Sequence, residues 1–306
     1  MIGQRPCMKG PMPERGYSLE VIRPGAEFTL YRRSTPGKPV VLALAQTGPS
    51  SARNVARLVH ENSLAEELDA SWAVRPLALT RHEGRHMLLF EDTGGLPLDV
   101  VLERTRGQRL DLVQLLQLSS ELARAIGDVH ARGLIHKDIK PANVLVGDTG
   151  QVRLTGFGIA SRLRGERQAP APPEVISGTF AYMAPEQTGR MNRAIDARSD
   201  LYSLGVTLYE LFTGVLPFTA TEPMEWIHCH IARQPLSPSV QRPGLPTAID
   251  GIILKLLAKN PEDRYRTAKG VEADLRKSLA AWIDQGRIDD FKLGERDVSD
   301  SLRIPE

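Results

Sequence analysis

Three polar side chains of different chemistry fall within six residues in "LIHKDIKPANVLV", Leu134 to Val146: the carboxylate of Asp138, the ammonium of Lys140 and the carboxamide of Asn143. A positioned carboxylate can take a proton, and a nearby ammonium can neutralise developing negative charge. A structural role for Asp138 is equally open on these residues, because aspartates in tight turns accept backbone hydrogen bonds. Further on, "VRLTGFGIA", Val152 to Ala160, reads as a strand ending at Leu154 and running into Gly156-Phe157-Gly158, a turn with no acid of its own. Asp148 is the nearest upstream carboxylate, and a whole strand separates it from that turn. The histidines of "HCH", His228 and His230, diverge by about 200° on a helix and do not close on one metal ion.

The elements that must position these groups fall into two kinds. Short β-like runs at 17–22, 28–33, 39–45, 74–80 and 86–90 are interrupted by one helix, Ser51 to Asp69, with Val55, Leu58, Val59, Ala65 and Leu68 on one side. After "EDTGGLPL" the chain turns helical. Asp111 precedes a long amphipathic run with Val113, Leu116, Ala123, Ile126 and Val129, which Gly133 ends. Helices follow in 198–213 and near 222–233, 247–259 and 267–284, with Pro- and Gly-rich loops at 165–178 and 235–246. The expected organisation is α+β and bilobal: a flexible leader at 1–16, a β-rich lobe at about 17–91, a larger helical lobe at about 96–284, and a charged tail or linker at 285–306.

The totals narrow the function classes. The 306 residues carry 25% charged and 41% hydrophobic side chains and a formal net charge of +2, so neither nucleic acid nor an anionic membrane is an expected partner. No stretch of about 18 apolar residues implies a spanning helix. The leader has no apolar signal region, and Cys7 and Cys229 stand far apart, which suits a reduced, cytoplasmic protein.

On these motifs the chain resembles the eukaryotic-like serine/threonine protein kinases. The family pattern H-x-D-x-K-P-x-N is filled by His136, Asp138, Lys140, Pro141 and Asn143. "GTFAYMAPE" resembles the family's substrate-proximal segment, "SDLYSLGVTLYELFTGVLPF" the helix with a buried aspartate, and "PEDRYRTA" the segment with a paired arginine. The resemblance covers roughly residues 17–284. It implies that Asp138 accepts the substrate proton, Lys140 neutralises the transferring phosphoryl, Asn143 holds metal and Thr179 favours Ser/Thr acceptors. Asp200 and the pair Glu186–Arg264 are implied to be architectural. More narrowly, "EQTGRMNRAIDARSDLYSLGV" and "HCHIARQP" resemble the N-terminal kinase-like domain of large bacterial signalling proteins that also carry an ATPase module, a GAF sensor and a histidine kinase.

The nucleotide-holding positions depart from that family. Gly156 stands where the metal-binding aspartate of Asp-Phe-Gly belongs, and aligning "PVVLALA" puts Ala43 at the strand lysine. Lys9 and Arg23 are the candidates for a cation from elsewhere. Of the glycine-rich loop only Gly25 survives, with Arg23 and Phe28 at the other two positions. Glu61 is the expected helix glutamate; with no lysine to meet it, it is either a solvated helix acid or paired with a neighbouring arginine. Phe90 would back the adenine pocket, with Glu91 and Asp92 as hinge. In the basic loop "SRLRGERQAPAPPEV" and beyond it, Ser161, Ser177 and Thr179 are phosphoacceptor candidates, although Lys137 replaces the usual phosphate-reading arginine. The resulting expectation is a pseudokinase acting as a signalling module on a protein partner or tethered domains, without a firm cofactor. The alternatives are an active Ser/Thr kinase with rearranged ATP and magnesium ligands, or a nucleotide sensor without transfer.

Overall fold

Alternating apolar residues dictate the first layer. In the computed structural model, which describes residues 16–48, 51–105, 110–162, 180–191 and 193–298, β1 (Ser18–Arg23), β2 (Phe28–Ser34), β3 (Val41–Gln46), β4 (Pro76–His82) and β5 (Arg85–Glu91) form one antiparallel sheet in the order β1-β2-β3-β5-β4. Period-two alternation separates its faces. Leu30, Leu42, Leu88 and Phe90 face one way with Leu58 of α1 (Ala52–Ser63), while Ala43, Ala45 and Met87 face the other.

Helix α1 is shorter than its apolar spacing suggests. It starts at Ser51, whose hydroxyl accepts from the Asn54 amide, and ends at Ser63 rather than Asp69. Leu64 and Leu68 keep helical spacing but drop into the core of the other lobe beside Trp72. The buried face of α1 is also rotated from the expected one: Asn54, Leu58 and Glu61 are buried, and Val59 is exposed. A helix that buries Asn54 and Glu61 beside Leu58 faces a site as well as a core.

The C-terminal lobe is built on α3 (Leu112–Ala131), opened by a reciprocal capping box between Asp111 and Gln114. Before it come β6 (Leu96–Pro97) and α2 (Leu98–Arg104). After it, β7 (Leu134–Ile135) pairs with β10 (Ser161–Arg162), and β8 (Val144–Val146) pairs with β9 (Val152–Leu154). Helix α4 (Ala197–Thr213) runs almost wholly buried through the lobe, ending at Gly214 in the left-handed region. Then follow α5 (Pro223–Ile231), α6 (Pro238–Gln241), α7 (Thr247–Leu256) and α8 (Ala268–Gln285), the last packed along α3. No helix among the described residues is long and apolar enough to cross a membrane.

Two polar anchors tie this lobe together. Arg264 donates from Nη1 and Nη2 to the two oxygens of Glu186 at 2.7 and 2.9 Å, and further to the carbonyls of Ala258, Arg198 and Lys259. Ser199 donates to the same carboxylate at 2.8 Å, so the buried pair is fully satisfied. The segment after α8, expected as a tail, packs back: Ile288 joins the core, and Asp297 accepts from the Arg266 and Thr267 amides at the start of α8. There it opposes the positive end of the helix dipole.

Arg264→Met strands a buried carboxylate, and a loss of about 3–5 kcal/mol is expected. Asp297→Ala removes a cap, for about 1 kcal/mol. Urea unfolding measures both; equal, small losses would contradict the burial of the first pair.

Candidate functional site: the cleft between the lobes

The loop after β7 is held by α4. Buried Asp200 accepts the amides of His136 and Lys137 at 2.8 and 2.7 Å and the His130 Nε2–H at 2.9 Å. Lys137 consequently sits at φ +69, a left-handed conformation that a non-glycine side chain rarely adopts. Burial pushes the Asp200 carboxyl up, but the hydrogen bond and charge of His130, with His136, outweigh it and leave it below the ordinary range. The backbone of Lys137 is thus fixed, and with it the next residue, Asp138. Burial brings the Lys137 ammonium down to about 8 against the pull of Asp200.

His136 ties this loop to the glycine turn. Its Nε2–H donates to the Thr155 carbonyl at 3.0 Å, its Nδ1 accepts the Asp138 amide at 3.2 Å, and its ring lies 4.5 Å from that of Phe157. Burial, the largest influence, depresses its pKa despite Asp200 and Asp138. A neutral ring with one donor and one acceptor nitrogen matches both bonds.

Asp138 is saturated. Lys140 Nζ donates to its oxygens at 2.9 and 2.8 Å, Asn143 Nδ2 at 3.1 Å, and Arg57 Nη2 lies 3.5 Å away. Asn143 Nδ2 also donates to the Asp138 carbonyl at 2.8 Å. The structure therefore brings Asp138, Lys140 and Asn143 together as the sequence implied. Thr179, Ser177 and the basic loop at 163–179 lie outside the described residues.

At the glycine turn, Gly156 has φ +85, and a Cβ there would stand 2.6 Å from Cγ and Nδ2 of Asn143. The place of a side chain is occupied by the carboxamide. Glu61 reaches in from α1, and its Oε1 accepts the Gly156 amide at 2.8 Å. Burial pushes its carboxyl up to about 7, with Asp138 adding to the rise and the Gly156 and Phe157 amides and Arg57 opposing it. Backbone amides, rather than the arginine foreseen, hold Glu61. Phe157 lies wholly in the C-lobe core against Trp72 and His136, so it does not fill the cleft.

The strand position needs a correction. Ala43 stands opposite Tyr31 and Leu89 and packs with Met87 on the far face of the sheet, whereas its neighbour Leu44 lines the cleft. A one-residue offset in an alternating strand reverses the face. The lysine position is therefore filled by leucine, and Lys38 sits exposed in the turn before β3.

Arg57, one helical turn before Glu61, reaches the cleft from α1, as Arg23 does from β1. It bonds Glu27 at 2.7 Å, lies 5.4 Å over the Phe28 ring, and keeps a buried Nε without an acceptor. Its distance from Glu61 in the chain was the available signal, since residues four apart share a helix face. Arg23 instead pairs with Asp99 across the lobes. Gly25 is required where it stands, because a Cβ would meet the Phe28 carbonyl at 2.3 Å.

These groups line a cavity of about 410 Å³ that includes Gly25, Phe28, Leu44, Arg57, Glu61, Asp138, Lys140, Asn143 and Gly156. The expected adenine side, Phe90 with Glu91 and Asp92, does not line it. Phe90 is 1% exposed and packed with Leu42 and with Leu145 of β8, so that half is filled by side chains. Nor do the residues fit a divalent cation: Gly156 offers no ligand, which leaves the Asn143 Oδ1 without a neighbouring acid at that turn, and no group of three His, Cys, Asp or Glu side chains that could hold a metal exists among the described residues. His230 is buried beneath Trp226 and bonded to the Phe180 carbonyl and Tyr202, its pKa pushed down to about 4 by burial, while His228 is exposed.

Gly156→Asp is expected to cost about 1–3 kcal/mol from its backbone conformation alone, with the contact to Asn143 in addition. A variant as stable as wild type in urea would refute that geometry. Glu61 has a raised pKa, so its contribution is full below about 4.5, its ordinary value, and is lost as pH rises through about 7. Stability should fall across this window by roughly 3 kcal/mol at most, and Glu61→Gln should lack that fall when both proteins are unfolded at several pH values.

Comparison with known proteins agrees with this architecture. A model of the protein kinase domain family matches residues 30–275. Serine/threonine-protein kinase PknB of Mycobacterium tuberculosis is 39% identical over 160 residues, 52% of this chain and 25% of the relative. PksC of Streptomyces coelicolor, also a serine/threonine-protein kinase, is 33% identical over 197 residues, 64% and 35% of the two chains. A probable serine/threonine-protein kinase of Corynebacterium efficiens is 36% identical over 204 residues, 60% and 31%. The chain thus spans about a quarter to a third of the length of these curated relatives. With the family match, the two-lobed fold and the Asp138 loop in agreement, the chain belongs to the protein kinase domain family.

Proposed function

We propose that this kinase domain is a non-catalytic signalling module, a pseudokinase that acts through protein contacts on a partner or on tethered domains. The observation that carries the reading is Gly156: the position of the metal-binding acid has no side chain, and the Asn143 carboxamide stands where one would begin. Two further features support it, Leu44 in place of the strand lysine and the side chains filling the adenine half. Losing one preorganised charge donor costs about 100- to 1000-fold in rate. The missing acid and lysine are parts on which kinase phosphoryl transfer relies. A cytoplasmic location and a place within a larger bacterial signalling protein belong to the same proposal.

A second reading is an active Ser/Thr kinase with unconventional ligands. It is the reading that the comparisons favour, because the relatives are named as serine/threonine kinases. The retained Asp138, Lys140 and Asn143, and the presence of Arg57 where a cation is needed, support it too. Arg57 would then replace the lysine from α1. A sensor that binds nucleotide without transfer would need the filled half to open.

Transfer of phosphate from ATP to a protein acceptor, with magnesium present, is expected to be no greater than in Asp138→Asn. Magnesium-ATP is expected to leave the melting temperature unchanged, whereas a bound ligand at about 100 times its Kd would add about 2.7 kcal/mol. Turnover abolished by Asp138→Asn would establish the second reading.

A further inference from the structure

Residues 287–298, beyond α8, form no helix or strand, yet their side chains are seated one by one on α7 and α8. Ile288 is buried, and Phe291 and Leu293 pack against the core of the lobe. Thr247 at the start of α7 donates to Asp290 at 2.6 Å, and Lys277 Nζ lies 4.3 Å over the Phe291 ring. Gly294 turns at φ +71, and its amide donates at 2.7 Å to Asp274, a buried carboxylate that also accepts the Tyr265 hydroxyl. Asp297 then accepts the Arg266 amide at 2.6 Å, the Thr267 amide at 2.9 Å and the Thr267 hydroxyl at 2.7 Å.

Two glycines make room for this segment. A Cβ on Gly270, in the first turn of α8, would stand 2.6 Å from Cβ and Cγ of Asp297. One on Gly251, inside α7, would stand 3.0 Å from Cδ1 of Leu293. Glycine is a poor helix former, so its use at both points answers to what lies on the helix rather than to the helix itself. The docking is nonetheless confined to separate anchors. Asp289, Lys292, Glu295 and Arg296 between them are exposed. A cavity of about 710 Å³ opens between Glu295, Arg296 and the α8 side chains Lys269, Glu272, Arg276 and Lys277. The support is independent of the segment, since α8 packs along α3 and α7 on α4. A few anchors on a surface already complete is how a linear peptide is held.

We propose that the α7–α8 face is a docking groove for a linear peptide of the pattern Phe-x-Leu-Gly-x-x-Asp, filled in cis by residues 287–298, which leave it without unfolding the lobe. Each position has its own counterpart. The phenylalanine meets the Lys277 ammonium, and the leucine lies over Gly251. The glycine gives its amide to Asp274 from a left-handed turn that a side chain would strain. The aspartate takes the amides at the start of α8, where the helix dipole also favours it. A segment tethered beside its groove has a high effective concentration, so it keeps out the same peptide arriving from elsewhere. The groove shares no residue with the cleft between the lobes, and it stands whether or not that cleft transfers phosphate.

Hydrogen exchange on the whole chain, read by mass spectrometry, tests the release. In the wild type the amides of 287–298 should exchange faster than those of α3 and α4, because they open locally. In the Leu293→Ser, Asp297→Ala double variant they should exchange at least about 10-fold faster again, while α3 and α4 stay protected. Gly270→Ala should speed the same amides, although alanine is the better helix former. Fluorescence anisotropy with a labelled synthetic peptide of residues 287–298 tests the groove. The double variant should bind it at least about 10-fold more tightly than the wild type, whose own segment competes. A peptide carrying both substitutions should bind neither protein. Amides of 287–298 that exchange only as slowly as α3 and α4, or loss of α3 and α4 protection in the double variant, would make the segment an integral part of the lobe and overturn the proposal. A peptide that binds the wild type as tightly as the double variant, or binds neither, overturns it as well.

Discussion

Asp200 accepts two successive amides and an imidazole N–H from the interior of the lobe, where no water competes for them. Hydrogen bonds to a buried charge are the strong ones, and leaving such donors unmade is costly. The carboxylate fixes a backbone turn at Lys137 that would otherwise relax out of the left-handed region. The placing of Asp138, and through His136 the placing of the Gly156 turn, follow from it. The rest of the cleft is a consequence of this one buried anion on α4.

The same anchoring holds the scaffold independently of what the cleft contains. Asp200, His136 and the Glu186–Arg264 pair depend on each other and on α4, not on anything in the cavity. Within the cleft the polar side chains meet one another and the backbone. Asn143 stands where an acid's side chain would go, Glu61 turns onto the backbone amides, and Arg57 bridges Glu27 and Asp138. Apart from the Arg57 Nε, these groups find local partners, which is what a buried cluster requires.

Much of the fold was legible because binary patterns are local. The short apolar runs of β2, β3 and β5 and the helical spacing of α3 and α8 are set by which residues are buried, α4 carries apolar or small residues nearly throughout because it is buried nearly all round, and the loop around Asp138 keeps fixed spacing. The end of α1 was not legible, because Leu64 and Leu68 hold the helical period while serving another core. The offset between Ala43 and Leu44 was hidden because no lysine marks the register and both residues are apolar. Arg57 carried no motif of its own; its distance from Glu61 was the one local hint. The packing of Leu145 against Leu42 and Phe90 joins residues far apart in sequence, and no local pattern announces it.

That last contact has a mechanical meaning. Leu145 belongs by connectivity to the helical lobe, yet its side chain sits in the apolar cluster of the sheet. A seam greased by hydrocarbon on both sides resists hinging, since parting it would wet the leucines and the phenylalanine together. Parting the two halves would therefore cost the burial of that cluster.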